Sequence, residues 1–234
     1  MDEVSNEVGI TVPTRDVLSF GGGFFDYDND GWLDLFIANG HVYPEVEQAT
    51  PGTHYKQINM LFHNETGKRF TVATDSSGIA ALTPRAGRGA AFADLDNDGF
   101  VDIVVANNGD PPTLLHNDGS IGNHFVNFRL VGRVSELVLT NPDAKKSNRD
   151  AMGARIRITA GGISQIREIA DGGSYLSQSD LRANFGLGKS ETIDLVEITW
   201  PSGAKQSFRN VPAGKFYLIT EGSDSLLLQK IDGR

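Results

Sequence analysis

The chain has 234 residues, of which 39% are hydrophobic and 22% charged, a composition that excludes a disordered chain and allows one or two packed domains. Its net charge of -9 excludes a non-specific nucleic-acid binder, which needs clustered Lys and Arg. It has no cysteine, hence no disulfide framework, and no apolar run near the roughly 20 residues of a membrane span.

Two averages hide detail. The 27 glycines are far more than a helical protein tolerates, because each costs a helix about 1 kcal/mol, so many tight turns and short strands are expected. The charge is also uneven. Residues 1–122 carry 18 acidic and 6 basic side chains, whereas residues 123–234 carry 12 acidic and 15 basic, which puts an expected domain boundary near residue 122. The first seven residues, Met1 to Glu7, contain no basic segment followed by an apolar core. The chain as written thus carries no signal peptide. It is expected to be either cytoplasmic or part of a longer exported protein, extracellular or periplasmic.

In chain order, Leu33–Ala38 is a short apolar run bounded by Asp and Asn, which suits a buried strand. Met60–His63 and Phe70–Val72 read as further strands. Val101–Ala106 repeats the first run, and the repeat extends in both directions. Gly21 to Asn39 matches Gly89 to Asn107 at an offset of 68 residues; Leu61-Phe62-His63-Asn64 matches Leu114-Leu115-His116-Asn117. One unit therefore recurs, with about four strands each, the content of a propeller blade. Two blades do not close a ring, and repeat units bury their faces only against neighbours. Packing against further blades or against another copy is expected.

The second half is β in another style. Arg155–Thr159 alternates polar and apolar, Gly161-Gly162 turns the chain, and Ser164–Ile169 returns as in a hairpin. Val196–Trp200 alternates again, Pro201-Ser202-Gly203 forms a turn, and Phe216–Thr220 reads as a last strand. An antiparallel sandwich or small barrel is expected, with Glu136–Asn148 as an exposed loop.

Between the first two strands of each unit lies an acidic loop. Asp26, Asp28 and Asp30 alternate along a tight turn, Gly31 permits the bend, and Asp34 follows at the start of the next strand. Asp94, Asp96, Asp98, Gly99 and Asp102 repeat this. Calcium takes six to eight oxygens at about 2.3–2.6 Å, and alternating carboxylates deliver several to one point. The backbone carbonyls of Trp32 and Phe100 are expected to complete the two sets. A polar turn is the plainer account of one such loop, since Asp, Asn and Gly belong in turns. Two loops with the same flanks and the same fourth Asp outweigh it, because four carboxylates without an ion repel one another. An EF-hand is excluded: its twelfth position is acidic, and here it is Ile37 or Val105.

These residues carry a resemblance. Both units resemble the FG-GAP/VCBS repeats of β-propellers, whose Asp-Xaa-Asp-Xaa-Asp-Gly-Xaa-Xaa-Asp loops bind calcium. The second half resembles the ASPIC/UnbV domain of cartilage acidic protein-like proteins, through Ser147 to Arg155, Gly173 to Gln178, Phe185-Gly186-Leu187-Gly188 and Trp200-Pro201-Ser202-Gly203. The resemblance implies an all-β fold with two blade-like repeats over residues 1–122 and a sandwich-like domain over 123–234. It also implies two calcium ions, held by Asp26, Asp28, Asp30, Trp32 and Asp34, and by Asp94, Asp96, Asp98, Phe100 and Asp102.

No enzyme signature accompanies this. There is no His-Glu-Xaa-Xaa-His, no Gly-Xaa-Ser-Xaa-Gly and no phosphate loop. His63 and His116 occupy equivalent repeat positions, which points to a shared structural place. The expected function is a non-catalytic, calcium-binding extracellular adhesion or interaction module with a protein or glycan ligand. The alternative is a carbohydrate-binding or accessory module of a secreted enzyme. A basic patch of Arg149, Arg155, Arg157, Arg167 and Arg182, or stacking of a sugar on Trp200, would suit a binding role. A solvated sheet face and a core position are the plainer accounts of these residues.

Overall fold

A computed structural model describes residues 2–119, 122–133 and 147–229. The first repeat is a four-stranded antiparallel meander of β1 (Ser19–Phe25), β2 (Asp34–Asn39), β3 (Met60–Asn64) and β4 (Phe70–Val72). The second is β5 (Gly87–Ala93), β6 (Asp102–Asn107) and β7 (Thr113–Leu115). The two sheets share one core of Phe25, Phe36, Ala38, Leu61, Ala90, Ile103 and Val105. β1 and β5 lie side by side because glycine lets them: a Cβ on Gly21 would fall 2.3 Å from the carbonyl oxygen of Arg88.

The second repeat differs from the expected four strands, having three among the described residues. Gly119 and Gly122, between β7 and the next strand, are both at positive φ. Gly119 packs against the Phe100 ring, where a Cβ would fall 2.3 Å from the ring.

That half contains two four-stranded sheets. One has the order β10-β9-β14-β15, from Ile163–Glu168, Arg155–Ala160, Thr192–Thr199 and Lys205–Pro212. The other has the order β13-β8-β16-β17, from Ala183–Gly188, His124–Val131, Lys215–Thr220 and Leu227–Leu228. Their inward residues form one core: Val126, Phe128, Ile156, Ile158, Phe185, Ile198 and Ile219 are all essentially buried. The β9–β10 hairpin has the expected two-residue turn, with Ala160 paired to Ile163 and both Gly161 and Gly162 at positive φ, as a primed turn requires. A small hairpin, β11 (Gly173–Ser174) with β12 (Ser177–Gln178), projects from this half towards β1 and β5.

One expectation is corrected. The second half is not purely antiparallel, because β16 runs parallel to β8. Such a pair is made by a crossover between sheets, and polar-apolar alternation along a strand carries no information on its neighbour's direction. The structure also settles Trp200: at 2% exposure it is core, not a sugar platform. The Glu136–Lys146 part of the expected loop lies outside the described residues. Ser147, at its end, is buried, and its hydroxyl accepts a hydrogen bond from the Ser202 N–H. No helix among the described residues is long and apolar enough to cross a membrane.

Candidate metal centre

The two acidic loops join β1 to β2 and β5 to β6, at the ends of the hairpins that face the second half. In the first, the carboxylate of Asp26 accepts the N–H groups of Asp30 (3.1 Å) and Gly31 (2.9 Å). Asp28 also accepts from Asp30 (3.1 Å), and Asp30 accepts from Trp32 (2.8 Å). These short-range bonds wind the turn tightly, and Asn29 at φ 57° makes its sharpest bend. The second loop repeats the pattern: Asp94 accepts from Asp98 and Gly99, Asp96 from Asp98, and Asp98 from Phe100, with Asn97 at φ 62°.

The fourth aspartate of each loop has an additional role. Asp34 accepts from Tyr27 at the loop's start (3.0 Å) and from Asn64 at the end of β3 (2.8 Å). Asp102 does the same with Leu95 (3.0 Å) and Asn117 (2.8 Å). Asn64 and Asn117, the last residues of the Leu-Phe-His-Asn and Leu-Leu-His-Asn motifs, return the contact: each side-chain amide donates to the carbonyl before its aspartate, Leu33 or Val101. The repeated Asn thus ties the third strand to the loop in both units.

The carboxylates converge. Asp26, Asp28 and Asp30 each offer an oxygen within 4.8 Å of the others, as do Asp94, Asp96 and Asp98. Oxygens on opposite sides of a calcium ion stand about 4.6–5.2 Å apart, so this spacing fits a shared ion. Asp34 forms a second group with Asp28 and His63, whose Nδ1 lies 3.2 Å from Asp34. His116, the equivalent residue, instead meets Asp96 at 3.1 Å and enters no such group among the described residues. The feature common to both loops is therefore all-oxygen, which suits a hard cation better than a nitrogen-seeking metal. The rings of Trp32 and Phe100 cover Gly67 and Gly119.

The carboxyls bear the strain of this crowding. Burial, followed by the charges of Asp34 and Asp30, drives Asp26 well above the carboxylate range. Burial raises Asp34 to about 8 and Asp94 to about 6, and raises Asp30 and Asp98 as well. A divalent cation would reverse each of these shifts by supplying the missing charge.

Sequence reasoning missed the setting. The second half closes over both loops. Gly188 donates its N–H to the carbonyl of Asn29 (2.8 Å), and the Asn123 amide donates to Asp28 O (2.9 Å). Arg182 donates to Asp94 O and to Asn97 Oδ1, both at 2.6 Å. The five arginines do not make one patch: Arg155 pairs with Glu168, Arg182 lies in this junction, and Arg167 is half-buried over the Phe185 ring. A cavity of about 210 Å³ between the loops and the second half is lined in part by Asp26, Asp94, Arg167 and Arg182.

Two stretches of the chain are similar to known families. Residues 26–105, from the first aspartate of one loop through most of β6, match the FG-GAP-like repeat family, and residues 144–226 match the ASPIC and UnbV family. The chain is 26% identical to human cartilage acidic protein 1 over 224 residues, which cover 94% of this chain and 30% of that protein. The proteins of the same name from Xenopus tropicalis and Mus musculus are 26% and 25% identical over the same shares. The chain therefore spans about 30% of the length of the curated relatives it matches.

Proposed function

We propose that this chain is a non-catalytic calcium-binding module of an extracellular protein, in which two ions stiffen twin loops that present a β scaffold for interaction. The ligands would be Asp26, Asp28, Asp30, the Trp32 carbonyl and Asp34 in one loop. In the other they would be Asp94, Asp96, Asp98, the Phe100 carbonyl and Asp102. The observation that carries this reading is the twin convergence of three carboxylates, each offering an oxygen within 4.8 Å of the others. The extracellular assignment is our reading of the similarity to cartilage acidic protein 1, whose name refers to cartilage. Extracellular calcium, at about millimolar levels, would saturate sites of even modest affinity.

Calorimetric titration of the metal-stripped chain with calcium tests the reading. About two ions per chain are expected, with magnesium competing poorly because it prefers a smaller octahedral shell and keeps its waters. No heat of binding, and no change in melting temperature between calcium and chelator, would sink it.

A further inference from the structure

We propose that the second half of the chain supplies the outer braces of both loops, so that calcium binding and the docking of the two halves are one coupled equilibrium. The inference rests on the calcium reading above and extends it to residues outside the acidic motifs.

The contacts are specific to each loop. Arg182 reaches across from the segment before β13. Its guanidinium holds the Asp94 carbonyl and the Asn97 side chain, while Asp180 anchors the same guanidinium from behind. Asn97 is the residue in the left-handed conformation, so Arg182 grips the second loop at its bend. The first loop has no arginine there. It is held instead by Asn123 on the Asp28 carbonyl and by the Gly188 N–H on the Asn29 carbonyl. Gly186 makes the approach possible: a Cβ there would fall 2.2 Å from the Asp26 carboxylate and 2.4 Å from the Asn29 backbone. Phe125 packs on Gly99 in the same way, its ring 2.0 Å from where a Cβ would stand.

These groups bind mainly to the backbone and the bend residues, leaving the carboxylates to converge inward. That is how an outer shell acts: it fixes the geometry of groups that an ion then finds already placed. Without an ion, carboxylates repelling one another would open the turn and move Asp28 O, Asn29 O, Asp94 O and Asn97 away from their partners in the second half. Coupling of this kind is reciprocal: what docking adds to calcium affinity, calcium adds to docking.

The test uses the full chain, with one loop silenced so that the other is read alone. In an Asp28→Ala background only the second loop remains, and Arg182→Gln should weaken its calcium affinity about 10-fold, the lower end of outer-shell effects. In an Asp96→Ala background only the first loop remains. There Arg182→Gln should leave affinity unchanged and Asn123→Ala should weaken it. A variant that merely destabilised the fold would affect both loops alike, so the crossed pattern separates bracing from general damage. Asn123 lies outside both cores, which keeps the test standing if Arg182→Gln does not fold. Docking is read separately by limited proteolysis of the segment between β7 and β8, which should be protected in calcium and cut in chelator. Parent-like affinity in the Arg182 and Asn123 variants, or cleavage indifferent to calcium, would overturn the coupling while leaving calcium binding intact. A parent chain that binds no calcium would overturn both readings.

Discussion

The two acidic loops have nearly the same sequence and different surroundings. In the first, Asp26, Asp28 and Asp34 are all buried, His63 closes one side, and the carboxyl of Asp34 is pushed up to about 8. In the second, Asp98 and Leu95 are exposed, His116 lies further out beside Asp96, and Asp94 rises only to about 6, partly because Arg182 offsets its burial. A motif therefore specifies which atoms converge, whereas the cost of bringing them together without an ion is set by what packs over them. The first loop would therefore depend more on a bound cation, while the second is part-compensated by an arginine from a distant segment.

Removing calcium tests both loops together and should have the largest effect. With dissociation constants near 10 μM and 1 mM calcium, linkage gives about 2.7 kcal/mol per site. For a chain of this size, two sites correspond to a fall of roughly 10–20 °C in melting temperature on adding chelator. Paired thermal melts measure this, and an unchanged midpoint contradicts structural metal at either loop.

Silencing the loops one at a time comes next. Asp28→Ala and Asp96→Ala should each reduce the calorimetric stoichiometry from about two to about one and forfeit about 2.7 kcal/mol of calcium-dependent stability. In chelator the first loop should behave differently from the second, since Asp28 is buried among raised carboxyls and its removal relieves more repulsion. A single substitution that abolished both ions would mean that the loops share one site.

The pH dependence of the calcium-free protein separates the loops further. A carboxyl whose folded pKa is raised contributes stability below its unfolded pKa of about 3.9, and this is lost as pH rises through the folded value. For Asp34 the loss ends near 8, and for Asp94 near 6. Between pH 6 and 8, therefore, chelator-treated protein should gain about 1 kcal/mol per unit of acidification from Asp34 alone. In saturating calcium the slope should reverse, because protons compete with the ion. Denaturant titrations across this range provide the check. Asp34→Asn should flatten the calcium-free slope above pH 6 and Asp94→Asn should not; equal slopes in the two variants would erase the distinction.

Much of this was legible in the sequence. The repeat, the loop aspartates and the strands were marked by local signals: apolar runs a few residues long, Asp-Asn-Gly bends and alternation. Val101–Ala106 was expected and Asp102–Asn107 observed, a shift of one residue. The illegible parts are all long-range. The parallel partner of β16 and the reach of Arg182 to Asn97, 85 residues away, depend on how sheets dock, which no periodicity encodes. The asparagines of the Leu-Xaa-His-Asn motif lie between these cases. Their repetition was visible, but their role in tying the third strand to the loop needed coordinates.

The smallest expected effect concerns a direct hydrogen bond between the two loops. The side-chain amide of Asn29 donates to the carbonyl of Gly99 at 3.1 Å, so the bend of the first loop bears directly on the bend of the second. Asn29 is fully buried, and a buried hydrogen bond of this kind contributes about 1 kcal/mol. Its carbonyl is also fixed by Gly188 of the second half, so movement of the first loop on losing its ion would be transmitted through Asn29 to Gly99. Asn29→Gly removes the side chain and tolerates the native φ of 57° without a Cβ penalty, which makes it a cleaner probe than alanine. In the parent, silencing the first loop with Asp28→Ala should weaken calcium binding at the second by a few-fold, consistent with about 1 kcal/mol of coupling. In the Asn29→Gly background the same silencing should weaken the second loop less, with Asn117, which donates to the Tyr27 carbonyl, as the remaining link. A four-member calorimetric cycle over Asp28 and Asn29 isolates this term from the direct effect of either substitution. If Asp28→Ala leaves the second loop at parent affinity with Asn29 in place, the contact transmits nothing, and the loops are independent sites that happen to adjoin.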